Sequence, residues 1–65
     1  CLTRDFLQMY RGHLAHIERL LDRYNDSNTP PLERAQLAPF VPALNRDRPV
    51  LEARIEQLEA FQQSL

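Results

Sequence analysis

The chain has no lysine, no tryptophan, one glycine and one cysteine among its 65 residues. Each shortage excludes something. A lone cysteine, Cys1, cannot close an internal disulfide. A lone glycine, Gly12, leaves no glycine-rich loop to cradle a phosphate. No stretch of about 20 consecutive apolar residues is present, so no membrane span is expected. The serines are Ser27 and Ser64, in a polar stretch and near the C-terminus, and neither sits like a nucleophile beside a base. Formal net charge is −1 with both signs mixed along the chain. A nucleic-acid module normally carries a basic stripe or patch, so contact with nucleic acid is not expected. These exclusions point to a non-enzymatic protein without catalytic, cofactor or metal residues.

All eight cationic residues are arginine. The simplest reading is codon bias in a GC-rich bacterial genome. The functional alternative is a surface built for bidentate carboxylate pairing. Cys1 also has two readings. One is the acylated first residue of a small bacterial lipoprotein, which would place the chain at a membrane or in the periplasm. The other is a free cysteine at the boundary of a fragment or processed part of a longer chain. A periodic helix that starts at once, without a flexible spacer, favours the second reading and a cytoplasmic protein.

A chain this short buries only ~60% of the surface its unfolded form exposes. Without a disulfide or metal, oligomerisation or attachment to a larger chain is the remaining source of stability. One domain spanning residues 1–65 is expected.

Helical periodicity dominates. Phe6, Tyr10, His13, Ile17, Leu20 and Tyr24 recur every three or four residues, which is one side of a helix. Leu7, Leu14 and Leu21 form a second stripe beside the first. The predicted first helix covers residues 4–24, capped by the Thr3 hydroxyl. Asn25 to Asn28 end it, because such side chains compete for backbone hydrogen bonds and favour turns. Thr29 is a candidate cap for a short helix over 32–38, with Pro30 at its first position. Pro39 and Pro42 predict an irregular or kinked continuation. Asn45-Arg46-Asp47 reads as a further break, with Asp47 capping a last helix over 48–63. The apolar positions of that helix are Val50, Leu51, Ile55, Leu58, Phe61 and Leu65, with Glu52, Glu56 and Glu59 as an acidic ridge.

Four positions invite a functional reading. His13 and His16 are one turn apart, a spacing that can present metal ligands. No further ligand is visible on the last helix, so a buried or half-buried His13 and a boundary His16 are expected instead. Arg54 falls within an apolar arc. It either snorkels to water or pairs with a carboxylate of a partner and sets register. Gly12 with Ala15 is either a close-approach patch or an exposed, tolerated glycine.

The fold expected is all-α: a small helical bundle of two long amphipathic helices with a short proline-interrupted helix between them, completed by dimerisation. The leading function is a protein–protein interaction or oligomerisation module of coiled-coil type. Its interface would use Leu7, Tyr10, Leu14, Ile17, Leu21, Tyr24, Arg54, Leu58 and Phe61. The expected partner is a second copy or another helical protein. The alternatives are the lipoprotein and a regulatory or ligand-sensing domain with a pocket near Met9, Tyr10 and His13.

Overall fold

A computed structural model of the chain describes residues 2–64. The readings placed on Cys1 and Leu65 lie outside the described residues. The fold is all-α, with 92% of the described residues helical. Helix α1 runs Leu2–Asn25, α2 runs Pro31–Leu37, a 3-10 turn covers Ala38–Phe40, and α3 runs Val41–Ser64. The two long helices lie against each other as an antiparallel hairpin, 48 × 17 × 16 Å in extent. Among the described residues, no helix is long and apolar enough to cross a membrane.

Helix α1 begins at Leu2, two residues before its predicted start, so Thr3 lies inside it. Its C-terminal end has the more elaborate construction. Any helix leaves its last carbonyls without intrahelical partners. Here the buried Thr29 hydroxyl donates to the Arg23 carbonyl. The Arg34 guanidinium donates to the carbonyls of Tyr24 at 3.2 Å and Asp26 at 2.7 Å. The Asp26 carboxylate holds the turn by accepting from the Asn28 amide at 3.0 Å. Thr29 therefore closes the first helix and does not cap the second. The N-cap of α2 is Pro30, and Pro31 occupies its first turn, where a missing amide leaves nothing unbonded.

The predicted break at Asn45-Arg46-Asp47 does not exist. Residues 45–47 are helical within α3, and Pro49 sits inside it. The interruption falls earlier, at the 3-10 turn around Pro39. Pro39 has no amide to offer the Ala35 carbonyl, and Pro42 none for Ala38. The backbone tightens instead, with the Val41 amide donating to the Ala38 carbonyl. Pro42 then sits in the first turn of α3, where it is tolerated. Pro49 removes one bond, to the carbonyl of Asn45. Both residues are exposed, so water can serve that carbonyl. The helix survives because tertiary packing, more than local propensity, holds helices of this length.

The packing centre is small. Leu7, Ile17 and Leu21 of α1 and Leu51 and Ile55 of α3 are buried. Tyr10, Leu14, Val41 and Leu44 pack around the Ile17–Leu21–Leu51 cluster. On α1 the inward line is thus Leu7, Tyr10, Leu14, Ile17, Leu21 and Tyr24, at spacings of three, four, three, four and three. That is a heptad seam. The Leu7, Leu14 and Leu21 stripe, expected to be left over for a partner, is consumed inside the chain by α3. His13, expected at the middle of the buried face, is exposed.

Candidate interaction surface

The sequence order of buried and exposed residues fixes which face of the hairpin remains apolar. On α1, each inward residue is preceded by one on an outer line: Phe6 before Leu7, Met9 before Tyr10, His13 before Leu14, His16 before Ile17, Leu20 before Leu21. The same holds on α3, where Ala43 precedes Leu44, Val50 precedes Leu51, Arg54 precedes Ile55 and Gln57 precedes Leu58, and Phe61, four residues on from Gln57, continues the outer line. One residue back along a helix is a rotation of about 100°. Because α1 and α3 run antiparallel, that rotation turns both outer lines towards the same side of the hairpin.

Side-chain contacts agree. The Phe6 and Tyr10 rings stack at 6.4 Å between centroids. Arg54 of α3 reaches over Tyr10, its guanidinium carbon 5.9 Å from the ring centroid. Its Nη1 also lies 3.4 Å from the Tyr10 hydroxyl, as a donor. Beside this cluster, Phe6 is 45% exposed, Met9 54%, Val50 49% and Phe61 54%. The opposite side is charged. Arg11 pairs with Glu59 at 3.2 Å, and Arg48 meets Glu18 at 3.8 Å and Glu52 at 3.2 Å. The hairpin thus has one face knitted by ion pairs and one carrying unpartnered apolar side chains. Two of the three glutamates of the acidic ridge, Glu52 and Glu59, belong to the ion-paired face and are engaged within the chain.

The residues singled out by sequence fall into two groups. Leu7, Ile17 and Leu21 are buried, and Tyr10, Leu14, Tyr24 and Leu58 are half-buried. Arg54 and Phe61 are exposed and lie on the apolar face. Phe6, Met9 and Val50 belong with them and were not singled out as interface residues. Their signal was present, since each stands directly before a seam position, but the choice between two adjacent stripes needs the position of the second helix. Arg54 is exposed in the single chain. Among the described residues it makes no ion pair within 4.0 Å.

An open groove on the ion-paired side is lined by Arg4, Leu7, Gln8, Arg11 and Gln62 and includes none of Met9, Tyr10 and His13. Among the described residues, no three of His, Cys, Asp and Glu come together as metal ligands. Gly12 is exposed, and a Cβ placed on it would meet nothing within 4 Å.

One ion pair outside this surface stands out. Arg23 and Glu33 meet in a two-pronged contact, Nε to Oε1 at 2.9 Å and Nη2 to Oε2 at 2.7 Å. It ties the last turn of α1 to the first turn of α2. The hydrogen bond from Arg23 holds the Glu33 carboxyl below the ordinary glutamate value, and the guanidinium is raised in turn. No protein-family model, curated protein or solved structure matches this chain.

Proposed function

We propose that this chain is a non-enzymatic helical association module that works through the face carrying Phe6, Met9, Val50 and Phe61. The observation that carries the reading is the asymmetry of the hairpin. Each long helix buries one seam, and the exposed apolar side chains Phe6 and Met9 of α1 and Val50 and Phe61 of α3 stand on the lines beside those seams, on one side of the hairpin. Exposed apolar surface rimmed by polar residues is a common mark of an interaction site. A hairpin with a five-residue buried centre also gains much from a partner, since small cores supply only ~3–5 kcal/mol. The helical seams suit a helical partner, which completes a bundle by the same packing.

The test compares the parent with the double variant Phe6→Glu and Val50→Glu. Sedimentation and the fluorescence of an apolar dye are the readouts. The parent is expected either to sediment as more than one chain or, if monomeric, to bind dye on its open face. The variant is expected to do neither while keeping its helical circular dichroism. A parent that is monomeric and binds no dye overturns the reading.

A further inference from the structure

We propose that the occupant of the apolar face is a second copy of this chain, docked about a twofold axis with its α3 antiparallel to the first. Asp47 of each copy then faces Arg54 of the other. The proposal rests on the association reading above and specifies its partner and register.

The outer line of α3 is Ala43, Asp47, Val50, Arg54, Gln57 and Phe61, at spacings of four, three, four, three and four. This is a second heptad seam, rotated by one residue from the seam that packs on α1. It carries two charges, Asp47 and Arg54, of opposite sign. They are seven residues apart, two turns, or about 10.5 Å. Within one helix that distance is too long for them to pair. Across a twofold axis passing near Val50 and Leu51, the spacing brings each onto the other's counterpart. A twofold interface must be self-complementary, and one negative and one positive charge placed symmetrically about the midpoint between Val50 and Leu51 meet that condition.

The existing partners of these two groups leave them available. Among the described residues the Asp47 carboxylate pairs with its neighbour Arg46 alone, at 3.9 Å, and its side chain is 51% exposed. Arg54 has the Tyr10 ring and hydroxyl. By contrast, Arg11, Glu18, Arg48, Glu52 and Glu59 on the far side are engaged with one another. Two hairpins face to face make a four-helix bundle, with the apolar lines of both helices inside it.

A charge-exchange experiment tests both partner and register. In Arg54→Asp the seam carries two acids, and in Asp47→Arg it carries two bases. Each variant alone sets like charges against each other at both symmetric contacts. Self-association is expected to weaken at least about tenfold, since like charges at an interface cost several kcal/mol and 1.4 kcal/mol is tenfold. Mixing the two variants restores opposite charges at both contacts, so a heterodimer of about parental affinity is expected. Sedimentation equilibrium of each sample, with circular dichroism for helix content, gives the readout. If a single variant unfolds because folding and association are coupled, mixing is expected to restore helix and dimer together. A parent that stays monomeric overturns the self-pairing. If that monomer binds apolar dye, the association reading above survives with a different partner, and if it does not, both fail. A parental dimer indifferent to the single exchanges, or variants that fail to recover on mixing, overturns the antiparallel register.

Discussion

The guanidinium of Arg54 lies over the ring of Tyr10, joining α3 to α1 on the apolar face of the hairpin. Tyr10 is half-buried and Arg54 exposed, so the two sit where the inner seam gives way to the outer one. The ring supplies packing area and the hydroxyl only a long contact of 3.4 Å. Tyr10→Phe is therefore expected to change stability by less than about 0.5 kcal/mol, while Tyr10→Ala costs about 2–4 kcal/mol through lost packing. Urea melts of the two variants check the difference.

The placement of the core makes Leu14, Ile17 and His13 respond differently. Ile17 is 1% exposed, and its replacement by alanine is expected to cost about 2–5 kcal/mol. Leu14 packs against the same cluster. Leu14→Glu should therefore unfold the hairpin, and a folded monomer would contradict the core described above. His13→Ala, on an exposed position one residue away, is expected to stay within about 0.5 kcal/mol. Thermal melts at fixed concentration rank the three.

Gly12 gives a prediction in the stabilising direction. It is in mid-helix, and a methyl group there meets open space. Glycine in a helix interior costs ~1 kcal/mol relative to alanine. Gly12→Ala is expected to raise stability by about 0.5–1 kcal/mol with no change in association. A loss of self-association would mean that another backbone approaches Gly12 closely.

Arg34 holds the end of α1 to the start of α2. Its guanidinium serves the carbonyls of Tyr24 and Asp26, with a further contact to Thr29 at 3.5 Å. Removing it leaves part-buried carbonyls with fewer donors. Arg34→Ala is expected to cost about 1–3 kcal/mol. Arg34→Lys should recover only part of this, because an ammonium cannot reproduce the planar fork. Amide exchange at the end of α1 is expected to accelerate in both variants.

The Arg23–Glu33 pair predicts a pH dependence with a definite sign. The folded Glu33 carboxyl titrates below its unfolded value. The folded state thus holds fewer protons there, and stability rises with pH through that range. The contribution is complete above the ordinary glutamate value and is lost as pH falls through the depressed one. Both side chains are exposed enough for solvent to screen the pair, so the effect is small. Glu33→Gln is expected to flatten the acid limb of the stability profile relative to the parent, read from urea melts between neutral and strongly acidic pH.

The all-α class and the presence of two long helices followed from the sequence alone. Apolar recurrence every three or four residues admits no other regular structure, and Asn25 to Asn28 mark where the first helix ends. The same recurrence could not choose between two stripes. Phe6 and Leu7 are adjacent, as are His13 and Leu14, and both lines repeat with helical period. A single helix has no inside. Only the approach of α3, which buries Leu7, Ile17 and Leu21 against Leu51 and Ile55, decided which line became core and which became surface. The roles of Thr29 and Arg34 were likewise invisible, because their acceptors are carbonyls of α1 brought near by the turn. Local signals at Asn45, Asp47 and Pro49 suggested a helix start. The helix passes through them, because packing on both sides outweighs one missing hydrogen bond at a solvent-facing carbonyl.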